Sequence, residues 1–166
     1  LILVANATNC WINLMMDERL VNDLVAATPT REHDVTERLR SAGLRPTRQR
    51  LSLGALLFDG IDRHVTAEML HEQAIRASVP VSLATVYNTL HQFTGAGLLR
   101  EVVVDSSRTY FDTNTNDHHH FFVERDGALM DIAGDDVTIG RLPPAPEGMD
   151  VARVDVIVRL QDRSRD

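Results

Sequence analysis

The chain has 166 residues, a hydrophobic fraction of 43% and a formal net charge of −7, so it holds one ordinary domain or two small ones and is not a uniformly basic nucleic-acid binder. No apolar run approaches the length of a membrane span, and the single cysteine, Cys10, excludes an internal disulfide framework. These features predict a cytoplasmic protein with no membrane partner.

The charge is unevenly distributed along the chain. Residues 1–35 carry −3, residues 36–100 carry +3 and residues 101–166 carry −7. All the positive side chains are arginines, which bind phosphate in a bidentate way. An acidic body with one basic section can bind DNA through that section.

The N-terminal segment is apolar but lacks the basic region and the cleavage site of a secretory signal. Because the chain begins with Leu, we expect the native start at Met15 or Met16 and the residues before it, within 1–15, to be non-native or misassigned upstream sequence. A helical pattern follows from Met16 to Ala27. We treat residues 1–33 as an extension without assigned chemistry.

Two short helices are predicted next. Asp34 with Glu37 resembles a capping box that opens a helix over Val35–Ala42. Thr47 is an N-cap for a helix from Arg48 to about Phe58. Arg48 and Arg50, in its first turn, oppose the helix dipole. They either face DNA phosphates or are simple surface charge, and the sequence favours neither.

The next two predicted helices form a helix-turn-helix. Thr66 caps the first, which ends near Ser78, and Ser82 caps the second. The second helix buries a stripe of Leu83, Val86, Leu90 and Phe93. Its other face is small or polar and has no acid, with Ala84, Thr85, Tyr87, Asn88, His91 and Gln92. Such a face fits a DNA groove, although an ordinary amphipathic helix has the same pattern.

Two strands, Leu98–Val104 and Arg108–Phe111, follow this helix and predict a winged helix. Arg108, just beyond the hairpin tip, is expected to reach a neighbouring phosphate or the minor groove. The side chains expected to contact DNA are therefore Arg48, Arg50, Ser82, Thr85, Tyr87, Asn88 and Arg108.

The character of the sequence changes near residues 113–117. A hairpin around Asp126-Gly127, a proline-rich loop from Gly134 to Met149 with at most a turn or two of helix, and a half-buried strand over Val151–Leu160 are predicted. The expected fold is α+β. Its parts are a winged-helix domain over 34–113, a hinge over 114–117 and a β-rich dimerisation and sensor domain over 118–162, which is too small to bury a good core alone.

Three consecutive histidines begin this second domain. On a strand, His118 and His120 point to one side and His119 to the other. Asp112 and Asp131 could add carboxylates, and such a mixed set suits Fe(II), Mn(II) or Zn(II). The run favours a metal or haem site over isolated surface histidines. No phosphate loop, nucleophile elbow or HExxH is present, so an enzyme is not expected.

The segments LRPTRQR, HVTAEMLHEQ, LATVYNTLHQFTGAGLL, TYFD and DHHHFF resemble the ferric uptake regulator (Fur) family in order and spacing, over roughly residues 35–160. Within that family, the HHH run and the missing cysteines are typical of the iron response regulators. The resemblance implies a homodimeric transcription regulator, mainly a repressor, that binds a palindromic, AT-rich operator.

The resemblance also implies a site. The family's regulatory metal ligands match His64, Asp112, His118 and His120, and Asp131 matches a further carboxylate of peroxide-sensing relatives. For iron response regulators, it implies haem contact through His118, His119 and His120. The structural zinc of many relatives needs two CxxC pairs, which are absent because no Cys follows Cys10.

Three hypotheses follow. The first is a regulator that responds to iron status through haem or a divalent metal. The second is a metal- or peroxide-sensing repressor that uses the divalent-metal site directly. The third is a haem- or metal-binding protein without specific DNA binding.

Overall fold

The computed structural model describes residues 29–105 and 108–163. The expected helix over Met16–Ala27 and the hairpin tip at Ser106-Ser107 lie outside them. In chain order the elements are α1 (Pro29–Ser41), α2 (Arg48–Leu57), β1 (His64–Val65), α3 (Ala67–Arg76), α4 (Leu83–Gly95), β2 (Arg100–Asp105), β3 (Arg108–Asp112), β4 (His118–Val123), β5 (Ala128–Ala133), a 3₁₀ turn (Gly134–Asp136) and β6 (Ile157–Leu160).

The starts of three helices are confirmed. Thr47, Thr66 and Ser82 are extended N-caps, and each side chain accepts the backbone N–H three residues further on. The start of α1 was wrong, because the helix begins at Pro29 and Asp34 lies inside it. Proline suits a first helical position, since its missing N–H would be unsatisfied there anyway.

The predicted apolar stripe of α4 forms the centre of the helical core. Val86, Leu90 and Phe93 are fully buried, and Leu83 is half-buried. Each such large side chain contributes about 1.5–3 kcal/mol by leaving water. The stripe belongs to one cluster with residues from all the other helices, Leu39, Leu53, Leu57 and Leu70 among them.

The wing is a three-stranded antiparallel sheet in the order β1-β3-β2. Strand β1 was not predicted from the sequence, because two residues carry no period. Its register sets His64 opposite Asp112, which is in turn opposite Arg100 on β2. Residues directly opposite one another point to the same face of a sheet. These three side chains therefore form a row that faces β4.

The second sheet has the order β5-β4-β6. Strands β4 and β5 are antiparallel, and Gly127 in their turn has a φ of 69°, which suits glycine. Strand β6 runs parallel to β4, with His120 opposite Ile157. The prediction of a strand over Val151–Leu160 was too long, since β4 begins at His118 and residues 151–154 extend past that end.

A second hydrophobic cluster lies between the wing and the second sheet. Val102, Val104 and Tyr110 come from the wing, and Phe122 comes from β4, all of them buried. Leu129 and Ile157 pack against them. The small sheet is thus completed by residues that precede the junction at 113–117. Among the described helices, none is long and apolar enough to span a membrane.

Candidate metal centre and DNA-contacting surface

Five potential ligands converge beside the junction of the two sheets. One atom from each of His64, Asp112, His118, His120 and Asp131 lies within 4.8 Å of all the others. His118 Nε2 lies 2.8 Å from Asp112 Oδ2 and 2.9 Å from His120 Nε2. His64 Nε2 lies 3.0 Å from Asp131 Oδ1. When several ligand atoms each bind one metal ion at about 2.0–2.2 Å, neighbouring ligand atoms lie as far from each other as the atoms of this cluster do.

The secondary structure brings these ligands together in pairs. His64 and Asp112 are cross-strand partners on β1 and β3, and His120 and Asp131 are partners on β4 and β5. His118 is on the same face of β4 as His120, two residues away. The cluster therefore takes two ligands from the wing and three from the second sheet.

Neighbouring groups fix the direction of each carboxylate. The backbone N–H of Asn114 donates to Asp112 Oδ1 at 2.8 Å, which leaves Oδ2 facing the cluster. The side-chain amide of Asn114 donates to Asp131 Oδ2 at 3.1 Å, which leaves Oδ1 facing the cluster. Such second-layer contacts orient metal ligands.

The electrostatics favour a charged carboxylate at the centre. Burial raises the pKa of Asp112, but the hydrogen bond from His120, the nearby His64 ring, whose Nε2 lies 3.5 Å from Oδ2, and the backbone N–H of Asn114 outweigh it and hold that pKa well below its usual value. The His64 Nε2 atom is buried without a hydrogen bond of good geometry. The cluster offers three imidazole nitrogens and two carboxylate oxygens. One carboxylate is charged, and one imidazole nitrogen lacks a hydrogen-bond partner, so the set fits a divalent transition metal.

The three histidines of the HHH run do not converge on one site. His118 and His120 are buried in the cluster, with exposures of 5% and 1%. His119 leaves the opposite face of β4, where it is half-buried and its Nδ1 accepts the Val156 N–H at 3.4 Å. It lines a cleft of about 400 Å³ with Arg153 and Val154.

The polar face of α4 is open. Tyr87, Asn88, His91 and Gln92 are exposed, whereas Thr85 is half-buried and its hydroxyl lies 2.9 Å from that of Ser82. The Tyr87 hydroxyl donates to Glu68 Oε1 on α3 at 2.6 Å. This hydrogen bond lowers the pKa of Glu68 and raises the pKa of Tyr87.

The arginines before α2 and in its first turn lie beside the polar face of α4. Arg50 donates from Nε and Nη2 to Gln92 Oε1 at 3.0 and 2.9 Å, and from Nη1 to the Arg45 carbonyl at 2.7 Å. Within the described residues Arg45, Arg48 and Arg50 form no ion pair, whereas other arginines of the domain, such as Arg40, Arg63 and Arg76, each pair with a nearby acid. Arginines whose charge no carboxylate of the described chain neutralises are suited to bind phosphates.

Arg108, expected at a phosphate or in the minor groove, contacts the second sheet in this DNA-free structure. Its guanidinium lies 5.7 Å from the centre of the Phe122 ring, and that of Arg159 lies 5.4 Å from the same ring. The Tyr110 hydroxyl donates to the Gly127 carbonyl at 2.5 Å. The wing is thus tied to the β4–β5 turn in this arrangement.

Sequence reasoning missed Glu68, Arg100, Asn114 and Asn116, which orient the residues it named. Glu68 and Arg100 act across the chain and leave no local signal. The spacing of Asp112, Asn114 and Asn116 is a local signal, because Asp and Asn side chains accept the backbone N–H two residues on, as Asp112 does from Asn114 and Asn114 does from Asn116.

A winged helix joined to a small sheet through a His–Asp cluster defines a winged-helix DNA-binding protein with a metal-ligating centre. The model of the ferric uptake regulator family matches residues 41–157. The chain belongs to this family, whose members are metal- or peroxide-sensing transcription regulators and not enzymes. The expected α+β fold, a winged-helix domain followed by a β-rich dimerisation domain, is confirmed.

Two similar sequences come from different branches. The ferric uptake regulation protein 1 of Mycolicibacterium fortuitum is 37% identical over 131 residues, which cover 75% of this chain and 77% of that protein. The peroxide-responsive repressor of Staphylococcus aureus is 36% identical over 105 residues, which cover 61% and 70%. The similarity therefore does not separate a metal sensor from a peroxide sensor.

A solved structure supports the fold. The ferric uptake regulator from Pseudomonas aeruginosa with manganese has a TM-score of 0.61 and 23% identity, with 78% of this chain and 98% of that chain covered.

Proposed function

We propose that this protein is a dimeric, sequence-specific transcriptional repressor whose operator affinity is set by a divalent metal ion. The observation that carries the proposal is the origin of the five ligands. His64 and Asp112 belong to the wing, and His118, His120 and Asp131 belong to the second sheet. An ion held by all five would fix one relative placement of the two parts.

An ion bound between the wing and the second sheet could change the affinity for DNA. A ligand shifts a conformational equilibrium only when it binds one state better than the other. We assign residues 34–113, together with the start of α1, to DNA binding, 114–117 to the hinge and 118–162 to dimerisation and sensing. In a dimer, the hinge geometry would set the spacing of the two recognition helices on a palindromic, AT-rich operator.

The DNA contacts follow from the open face of α4. Thr85, Tyr87 and Asn88 would read base edges in the major groove. Phosphates would be bound by Ser82 and by the arginines at Arg48, Arg50 and Arg108, the last after leaving Phe122. The absence of carboxylate partners for Arg48 and Arg50 within the described chain supports this role.

The ligand atoms limit which metal ions suit this site. Three imidazoles and two carboxylates suit Fe(II), Mn(II) or Zn(II). A structural zinc held by four cysteines is excluded, because the chain has one cysteine. Peroxide sensing through this site is supported by the similarity to the Staphylococcus aureus repressor and by Asp131, which presents a second carboxylate to the cluster.

Haem is the second candidate signal, as the likeness to iron response regulators implies. His119 is the most exposed of the three histidines and lines a cleft together with the buried His118. In that cleft Arg153 could meet a propionate, and Ala152 and Val154 could meet the ring. Haem ligation by His118 or His120 would require these side chains to leave the metal cluster. Haem at those two positions would therefore oppose the metal ion.

One experiment tests these hypotheses under reducing conditions, as in the cytoplasm, where we propose that the protein acts. Operator and random-sequence DNA binding are measured with the metal-free protein, with Mn(II) or Fe(II) under anaerobic conditions, and with haem. The proposal expects operator affinity to rise with the divalent ion. A response to haem alone would favour the second candidate. Equal binding to both DNAs at low salt would overturn the repressor function itself.

A further inference from the structure

Arg100 is a buried cation directly behind the metal cluster. It is the first residue of β2, lies opposite Asp112 in the wing sheet and is 5% exposed. A buried guanidinium is costly unless it is paired and hydrogen-bonded. Its environment therefore indicates why the fold keeps it there.

The guanidinium fixes the loop and strand that carry His118. Nη1 donates to the Asn116 carbonyl and Nη2 to the His118 carbonyl, both at 3.1 Å. His118 Nδ1 lies 2.8 Å from the same Asn116 carbonyl. Arg100 Nη1 also lies 3.3 Å from Nδ1, but the carbonyl is closer and only accepts, so we assign the proton to Nδ1 and leave Nε2 facing the cluster.

The charge of Arg100 is balanced from the C-terminal segment. Its Nη2 donates to Asp155 Oδ1, the ion-pair partner that the described chain provides for it. Arg153 Nε donates to the other oxygen of Asp155 at 2.9 Å. Asp155 lies just before β6, which joins the second sheet at Ile157.

We propose that Arg100 and Asp155 are positioning residues of the metal centre, through which the C-terminal segment 151–157 and the metal site stabilise each other. Asp155 holds Arg100 against Asn116 and His118, and Arg100 keeps the His118 ring in the ligating orientation. Coupling of this kind is reciprocal, so ion binding also orders residues 151–157 and the start of β6. This inference rests on the proposed function, since it needs the ion to bind at the cluster.

The test uses the full-length protein and Mn(II) as the probe. Asp155→Asn removes the charge but keeps the shape, and Asp162→Asn is the matched control, because Asp162 pairs with Arg125 on the surface. Mn(II) affinity is measured by chelator competition. Asp155→Asn should bind Mn(II) about tenfold more weakly, as second-layer changes typically do, and Asp162→Asn should bind as the parent does.

A second readout separates positioning from general damage. Hydrogen exchange of residues 150–160 should slow on Mn(II) addition in the parent and in Asp162→Asn, but not in Asp155→Asn. Asp155→Glu keeps a carboxylate for Arg100 and should recover most of the affinity. If Asp155→Asn is unfolded by circular dichroism, Asp155→Glu decides instead. If Asp155→Glu has the Mn(II) affinity of the parent and its exchange also slows on Mn(II) addition, positioning by the carboxylate is supported. If a folded Asp155→Glu loses both the affinity and the slowing, positioning is refuted.

Failure of this inference can be distinguished from failure of the proposed metal site. Parent-like Mn(II) affinity in a folded Asp155→Asn overturns this inference alone. A parent protein that does not bind Mn(II), Fe(II) or Zn(II), or whose binding survives His118→Ala with His120→Ala, overturns the proposed metal site as well.

Discussion

Tyr87 on the recognition helix donates its hydroxyl to Glu68 on the preceding helix, at 2.6 Å. The hydrogen bond places an exposed aromatic ring at a defined point on a face that otherwise carries small and polar groups. A carboxylate so near the expected DNA surface is electrostatically unfavourable, so its position over the tyrosine argues for an orienting role.

The first prediction concerns this pair. The carboxylate raises the pKa of Tyr87, and the hydroxyl lowers the pKa of Glu68. Glu68→Gln should therefore move the Tyr87 titration back toward its ordinary value near 10.0. Ultraviolet difference titration measures it. Tyr110, whose pKa is raised mainly by burial, is the internal control and should not change.

The sign of the pH dependence follows from the same shifts. A lowered Glu68 pKa contributes stability that is present above the unfolded value and lost as the pH falls through the folded one. A raised Tyr87 pKa contributes stability that is present below the unfolded value and lost as the pH rises through the folded one. The contact is thus complete between the ordinary values of 4.5 and 10.0. A stability difference between the parent and Glu68→Gln that grows outside that window would contradict it.

The second prediction concerns base recognition. Tyr87→Ala should cost about 1–3 kcal/mol on operator DNA and little on random DNA, because base contacts carry sequence preference. Fluorescence anisotropy with both DNAs measures this. Equal losses would mean that Tyr87 only positions the helix.

The third prediction concerns phosphate binding. Arg50→Ala should weaken binding to operator and random DNA alike and reduce the salt slope by about 0.9, the value for one phosphate contact. Arg125→Ala is the matched control, because Arg125 is an exposed arginine on the second sheet's turn. An unchanged salt slope in Arg50→Ala would limit the role of that side chain to its contacts with Gln92 and the Arg45 carbonyl.

The fourth prediction concerns the sensor. His118→Ala with His120→Ala should abolish the metal dependence of operator affinity, because both rings point into the cluster. His119→Ala should keep the metal response, because its ring leaves the opposite face of β4. The same two variants distinguish haem bound through His118 and His120 from haem bound through His119. Loss of haem binding only in His119→Ala would assign haem to the cleft beside Arg153.

The fifth prediction is architectural. The second sheet presents exposed apolar side chains, Met130 and Val158 among them, and its outer strands β5 and β6 have free edges within the described chain. Sedimentation velocity should therefore give a dimer or larger species at micromolar concentration. A stable monomer that still binds a full palindrome tightly would oppose this assignment.

The local parts of the fold could be predicted from the sequence. Thr47, Thr66 and Ser82 start their helices by a contact three residues away, and the apolar stripe of α4 follows from its period. The capping pattern at Asp34 misled because a helix already begun at Pro29 continues through it. Strand β6 starts later than its alternation suggests, because a strand also needs a partner along its length.

The candidate site was only partly accessible from the sequence. Spacing suggested His118 and His120, whereas the inclusion of His64 depended on the family resemblance. The contacts around His118 come from Arg100, and Arg100 meets its partner Asp155 only after the wing and the C-terminal segment have packed. No periodicity or short motif encodes an ion pair between residues so distant along the chain.

The cluster of Val102, Val104, Tyr110 and Phe122 has a consequence for how the molecule melts. In a single chain, the second sheet has little apolar interior without the wing, so the winged-helix domain and the second sheet form one cooperative unit. Thermal unfolding of the metal-free protein should then give a single transition, with coincident loss of helix and tertiary signals. A fragment that starts after the junction would lose this interior and collapse into a loosely packed chain.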